Sequence, residues 1–294
     1  MAIKRVLFVG LGHMGHPMVQ NVVSGGFEVW GHDADPGWRE LPGLERLKGL
    51  DDLSEPVDCI ITMLPTTQIV VKALLEEGLI DRLRPDGYIV DMSSGDPAPY
   101  DELAQAARRR SLSVIDAPVS GGIVGAEQGT LSIMAGADED TLEAVRPLLK
   151  SMGEHINHMG ELGAGQVTKL CNQVMVAMHL QALMEGFSLA KAGGLDLEKL
   201  REVLMGGAAA SWMLDIMGPR VLRDDSDAGF KIDLQLKDLK VATDYAYQNR
   251  VVLPGTAQAM ALYLEAGAHG EGNNGNQALY KVYERLNARK LRRR

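Results

Sequence analysis

Cysteine is nearly absent: the 294-residue chain has only Cys59 and Cys171, each inside an apolar pattern. That excludes a disulfide framework and a Cys-rich metal site, and it fits a reducing compartment such as the cytoplasm. Long hydrophobic runs are also missing, since no segment approaches the ~20 uncharged apolar residues that a membrane span requires. Lys4-Arg5 followed by Val6-Leu-Phe-Val9 resembles the start of a secretory signal, but Gly10, Gly12 and Gly15 cut the run short. Basic charge is in deficit, with 39 acidic against 30 basic side chains and a formal net charge of −9, which argues against a nucleic-acid surface. The one basic run, from Arg289 to Arg294, reads as a frayed, solvated helix end. His13 and His32 have no second His or Cys at metal-ligand spacing, so no metal site is expected.

With 46% hydrophobic and 23% charged residues, the composition is that of a globular protein of two domains. Short apolar runs at Val6–Val9, Glu28–Trp30, Val57–Met63, Tyr88–Val90, Ser113–Ile115 and Thr130–Met134 alternate with helical patterns, which implies βαβ units and a mostly parallel sheet. After Gly163-Ala-Gly165 the pattern becomes helical throughout, with helices expected over 166–191, 197–205, 232–248, 255–265 and 277–286. The expected division is therefore an α/β domain at 1–162 and an all-α domain at 163–294.

Gly10-Leu11-Gly12-His13-Met14-Gly15 directly follows the first strand and opens a helical pattern, as the dinucleotide fingerprint of a Rossmann-type domain requires. Its first glycine permits the tight turn, the second admits a pyrophosphate to the backbone, and the third lets helix and strand pack. The N–H groups of His13 and Met14 would then face phosphate at a helix N-terminus. Asp33, at the end of the second strand, can accept hydrogen bonds from the adenosine ribose and would repel a 2′-phosphate. No arginine follows until Arg39, so NAD is favoured over NADP. Two more post-strand loops should face the cofactor: Met63-Leu64-Pro65 on its ribose side, and Asp91-Met-Ser-Ser94, whose Ser94 suits the nicotinamide.

Asp116-Ala-Pro-Val-Ser120-Gly121-Gly122 is expected to place Ser-Gly-Gly in a loop after a strand. Adjacent glycines leave N–H groups unshielded and the Ser120 hydroxyl adds a donor, a combination that suits a carboxylate; an ordinary Gly-rich turn is the alternative. Lys169 lies in an apolar helical stretch with Asn172 at i+3 and Gln173 at i+4, so all three approach one helix face. A protonated ammonium there could stabilise a developing alkoxide and deliver its proton.

These blocks, together with Gly163-Ala-Gly-Gln-Val-Thr-Lys169 and Lys237-Asp238-Leu239, resemble in order the motifs of the β-hydroxyacid dehydrogenases over nearly the whole chain. Within that family, Asp91-Met-Ser-Ser94, Lys169-Leu-Cys-Asn-Gln173 and Phe230 to Leu239 are most similar to the branch that reduces tartronate semialdehyde, with the 3-hydroxyisobutyrate dehydrogenases as the alternative. The resemblance implies that Lys169 is the acid/base, that Ser120, Gly121 and Gly122 hold the substrate carboxylate, that Asn172 and Gln173 orient substrate or lysine, and that Lys237 reaches the cofactor. It also implies a small carboxylate substrate and a homo-oligomer, dimer or tetramer. The chain departs from the family pattern in having Gly95-Asp96 after Ser94, where relatives often carry Thr, and in that Gly270-Glu-Gly-Asn-Asn-Gly-Asn276 lacks the acidic residue many relatives place before the last helix. A non-catalytic nucleotide-sensing module is the reading of another class. An imine reductase of this fold usually lacks the lysine, and a 6-phosphogluconate-type enzyme would want a basic cluster not evident here.

Overall fold

Continuous apolar runs in the first half of the chain, with successive side chains pointing to opposite faces, build a sheet buried on both faces. Val6, Phe8, Cys59, Ile61 and Val90 join one apolar cluster, while their neighbours Leu7, Val9, Ile60 and Ile89 join another. In the computed structural model, which describes residues 3–35, 37 and 41–291, the elements run β1 (Arg5–Val9), α1 (Gly15–Ser24), β2 (Glu28–His32), β3 (Leu44–Arg46), β4 (Val57–Thr62), α2 (Thr67–Leu75), β5 (Leu83–Asp91), α3 (Tyr100–Arg108) and β6 (Ser113–Asp116). There follow β7 (Val119–Ser120), α4 (Gly122–Gln128), β8 (Leu131–Gly136), α5 (Glu139–Leu149), β9 (Gly153–Gly160) and the long helix α6 (Ala164–Ala192). The sheet order is β3-β2-β1-β4-β5-β6-β8-β7, with β9 also on β8. All pairings are parallel except those of β8 with β6 and β7.

The Rossmann-type α/β fold and the following helical region are thus as the sequence implies. Strand order reverses at β1, which has β2 on one side and β4 on the other. In an open parallel sheet such a reversal leaves a crevice at the carboxyl ends of the strands, here beside the loops that follow β1 and β4.

Contacts divide the chain into two units, Met1–Lys169 and Leu170–Arg294. The first residues of α6, through Lys169, therefore pack with the first unit, although strands give way to helices before Ala164. The second unit holds the rest of α6 and α7 (Leu197–Met205), a π-helical turn at Met213–Met217, α8 (Gly218–Leu222), α9 (Ile232–Gln248), α10 (Pro254–Ala268) and α11 (Tyr280–Leu286). Its core gathers Leu180, Met184, Phe187, Tyr263 and Tyr280.

Several elements differ from the sequence reading. β3 is three residues with two charged side chains, and β9 carries mostly polar residues on an edge of the sheet, so neither shows an apolar alternation. Ser120 does not lie in a free loop: it ends the two-residue β7, antiparallel to β8, and Gly121 caps α4. The described part of the basic C-terminal run, residues 289–291, is not a frayed helix end either. α11 stops at Leu286, Leu291 is buried, and the Leu291 N–H and the Lys290 ammonium both reach the Glu284 carboxylate, at 2.7 and 3.1 Å. Arg292–Arg294 and Arg39 lie outside the described residues.

The start of α6 is pressed against the sheet. A Cβ on Gly165 would stand 2.3 Å from the Met134 carbonyl oxygen and 2.8 Å from that of Asp116, both backbone atoms that cannot rotate away. Gly165→Ala gains helix propensity of up to ~1 kcal/mol, but overpacking of this kind typically costs about 1–3 kcal/mol or more. The variant should melt several degrees below wild type in a thermal unfolding scan; an unchanged or higher melting temperature would show that the approach is not tight.

Candidate active site

The three fingerprint glycines have three different surroundings. Gly10 adopts φ +96°, and a Cβ there would stand 2.3 Å from the Met63 carbonyl oxygen; a Cβ on Gly15 would stand 1.8 Å from the Gly10 carbonyl oxygen. A Cβ on Gly12 would meet nothing within 4 Å, so the middle of the loop is open. Helix α1 has no side-chain cap at its N-terminus, which leaves its first turn suited to an anion. A pyrophosphate fits this arrangement, with the backbone of Gly12, His13 and Met14 as its donors. Asp33 is held in place by backbone donors, from Leu11 at 2.5 Å to one carboxylate oxygen and from Asp35 at 2.8 Å to the other. Each oxygen keeps a lone pair for a ribose hydroxyl. Leu11 itself is buried, so its part in the site is that N–H.

The loops after β4 and β5 are tied to each other. The Ser93 hydroxyl accepts from the Leu64 N–H at 2.9 Å, which links Met63-Leu64-Pro65 to Ser93-Ser94. The glycine after Ser94 has a steric reason: a Cβ on Gly95 would stand 2.0 Å from the Thr67 hydroxyl oxygen and 2.8 Å from the Thr67 nitrogen. The departure from the family's Thr at this position therefore accompanies a close approach between this loop and α2.

In the Ser-Gly-Gly turn, Gly121 has φ +134° and Gly122 φ +63°, conformations that favour glycine. Both are exposed and Ser120 is half-buried, so the N–H groups of this turn are accessible to a small anion. Lys169 is only 8% exposed, and its ammonium donates to the Val119 carbonyl at 2.8 Å. The lysine and the Ser-Gly-Gly turn are thus joined through the residue before Ser120.

The same segment holds α6 at a second point. Asp116, fully buried, accepts from the Gly163 N–H at 2.7 Å with one oxygen and from the Gln166 N–H at 2.6 Å with the other. It caps the helix that carries Lys169. Burial pushes its carboxyl up to about 7, and the Asp91 charge adds to that, against the lowering effect of the two N–H donors. Asp91 is raised by burial as well, while hydrogen bonds from Ser93, Tyr100 and Thr62 oppose the rise. Burial, then the charges of Asp91 and Asp116, push the Tyr100 phenol up, so it stays a donor to Asp91, at 2.5 Å.

Sequence reasoning gave no role to Asp116, Asp91, Tyr100 or Gln166. Asp91 and Asp116 each end an apolar strand, and a carboxylate at that position is the signal that could have found them. In the second unit Gln173 is committed to neighbours: its Oε1 accepts from Asn172 at 2.8 Å and its Nε2 donates to Asp238 at 2.6 Å. Lys237 lies 3.0 Å from the other Asp238 oxygen. Of the two cysteines, Cys59 is buried and Cys171 exposed, and both are free. Among the described residues no helix is long and apolar enough to cross a membrane, and no group of three or more His, Cys, Asp or Glu could hold a metal ion.

Residues 5–160 match the family model described as the NAD binding domain of 6-phosphogluconate dehydrogenase, and residues 163–283 the one described as NAD-binding of NADP-dependent 3-hydroxyisobutyrate dehydrogenase. A 2-hydroxy-3-oxopropionate reductase of Escherichia coli is 36% identical over 97% of this chain and 98% of its own. An NAD-dependent L-serine dehydrogenase of Pseudomonas aeruginosa is 34% identical over 89% of this chain and 91% of its own. Among solved structures, a Mycobacterium tuberculosis 3-hydroxyisobutyrate dehydrogenase with L-serine aligns with TM-score 0.86 and 30% identity, covering 96% of this chain and 99% of that one.

Folding raises the Asp116 pKa from 3.8 to about 7, so between those values the folded protein keeps a proton there that the unfolded chain has released. The resulting stabilisation is full below about pH 3.8, shrinks as pH rises, and is lost above about pH 7. Asp116→Asn removes this dependence. In urea unfolding, the stability of wild type relative to the variant should fall by up to a few kcal/mol between about pH 4 and pH 7, at roughly 1.4 kcal/mol per pKa unit. Parallel pH profiles would contradict the buried, proton-holding carboxyl.

Proposed function

Because the chain belongs to the β-hydroxyacid dehydrogenase family, whose members are oxidoreductases that act on 3-hydroxy acids with NAD(P), we propose that it reduces tartronate semialdehyde to glycerate with NADH, using Lys169 as the proton donor. The observation that carries this reading is the buried Lys169 ammonium bonded to Val119, one residue from the Ser120-Gly121-Gly122 turn. The turn binds the substrate carboxylate through its N–H groups and the Ser120 hydroxyl. When bound, the nicotinamide would supply the hydride for the aldehyde carbon, so that negative charge would develop on the carbonyl oxygen. Lys169 stabilises that developing alkoxide and transfers its proton, leaving a neutral amine and the primary alcohol. In the oxidative direction the free amine takes the proton, so oxidation gains as pH rises.

Hydrogen bonds to a charged group contribute about 1.5–3 kcal/mol each, enough to separate an acid from its ester. Gly12, His13 and Met14 would hold the pyrophosphate and Asp33 the adenosine ribose, while Met63, Leu64, Pro65 and Ser94 would serve the rest of the cofactor. For Asn172, Gln173 and Lys237 the family resemblance supports roles in orienting substrate and reaching the cofactor; the bonds of Gln173 to Asn172 and Asp238 favour a positioning role for it. Exposed Met175 and Leu189 on α6 suit a homo-oligomer, and the two free cysteines suit the cytoplasm.

The test is a panel of short acids assayed with NADH and with NADPH: tartronate semialdehyde and methylmalonate semialdehyde for reduction, and 3-hydroxyisobutyrate, glycerate and L-serine for oxidation. L-Serine belongs in it because one relative is named for that substrate. The highest kcat/KM is expected for tartronate semialdehyde with NADH. A higher value for another acid would reassign the substrate, NADPH preference would overturn the Asp33 argument, and turnover of none would favour a nucleotide-sensing module.

A further inference from the structure

Gln166 is fully buried and stands one helical turn before Lys169 on α6. Both atoms of its side-chain amide are used. Its Oε1 accepts from the Gly95 N–H at 3.0 Å, and its Nε2 donates to the Ser93 carbonyl at 2.8 Å and to the Tyr100 oxygen at 3.0 Å. The first two partners flank Ser94, the residue assigned to the nicotinamide. Its backbone N–H meanwhile goes to Asp116. One residue thus joins the loop after β5, the α3 phenol that donates to Asp91, and the carboxylate at the end of β6.

We propose that Gln166 is a positioning residue that locks the Ser93–Gly95 loop to the helix carrying Lys169, and so fixes the proton donor relative to the loop that faces the nicotinamide. The proposal rests on the reading of Lys169 as proton donor. The side-chain hydrogen bonds of Gln166 go to Gly95, Ser93 and Tyr100 and not to the adenosine half of the proposed cofactor site at Gly10–Gly15 and Asp33, so loss of this side chain affects the chemical step more than cofactor binding. Two points of attachment make the residue selective: a glutamine presents an acceptor to Gly95 and a donor to Ser93 at once, which neither a methionine nor an ionised glutamate can do.

Gln166→Met keeps the length of the side chain and removes all three of its hydrogen bonds. With NADH and the preferred acid, kcat should fall about 10- to 100-fold, as expected for a reactive group displaced by a fraction of an ångström to an ångström. The Kd for NADH, read by fluorescence, should change less than about threefold, well below the change in kcat. Gln166→Glu is the second variant, valuable if the methionine form fails to fold. Its neutral carboxyl can donate to Ser93 and its ionised form cannot. Asp91, Asp116 and Tyr100 face this position, and the two acids favour the neutral form, so kcat relative to wild type should recover as pH is lowered from about 8 to about 6. A side chain that served stability alone would show no such recovery at temperatures well below melting.

The Lys169→Ala background separates this proposal from the lysine reading. If Gln166 acts through Lys169, Gln166→Met costs little further turnover there. An equal loss in both backgrounds overturns the positioning role while leaving the lysine in place, as does unchanged kcat in both Gln166 variants. Near-normal turnover of Lys169→Ala alone overturns the lysine reading, and with it any action of Gln166 through that residue.

Discussion

Two backbone N–H groups at the start of α6 have to be satisfied away from water, and the Asp116 carboxylate satisfies both. That bond pair fixes where the helix begins, and through the helix where Lys169 stands. The chain then returns within a few residues, since Val119 presents its carbonyl to the Lys169 ammonium. A helix held at its first turn by a carboxylate and near its second by a lysine cannot slide along its axis without breaking one of them. Gly136 and Gly165 permit the approach, because a Cβ on either would meet Asp116 atoms within 3 Å. The segment that presents the Ser-Gly-Gly turn and the first turns of α6, through Lys169, are therefore joined at two points.

The cost of this arrangement is a set of polar groups out of water. Asp91, Asp116, Tyr100 and Gln166 are all buried, and each is bonded to another member or to backbone. A buried polar network of this kind contributes rigidity only when every member is satisfied. The raised carboxyl pKa values of Asp91 and Asp116 record the cost of burial. Lys169 is held by a neutral carbonyl at Val119, a partner that orients the ammonium without taking its proton. For a group proposed to give up a proton to an alkoxide, such a partner is suitable.

Much of the site was legible because its signals are local. The fingerprint glycines sit where sequence neighbours and one adjacent loop leave no room for a Cβ at Gly10 and Gly15 and open space at Gly12. Asp33 was legible from its place at the end of a strand. The sheet was legible where apolar runs were continuous, as in β1 and β4, and not where strands were short or polar, as in β3, β7 and β9. The partners of Asp116 and Gln166 come from distant parts of the chain and leave no periodic trace. What the Asp116–Gly122 segment did not reveal is that its first residue, Asp116, accepts the N–H groups of Gly163 and Gln166 at the start of α6.

The account stands or falls on Lys169 as the proton donor in an otherwise intact site. The direct measurement is single-turnover oxidation of NADH by wild type and by Lys169→Ala with the preferred 3-oxo acid, with NADH binding measured in parallel. General acid catalysis of this kind predicts a rate about 10²- to 10⁴-fold lower with NADH affinity retained. A variant that oxidises NADH at close to the wild-type rate would contradict it.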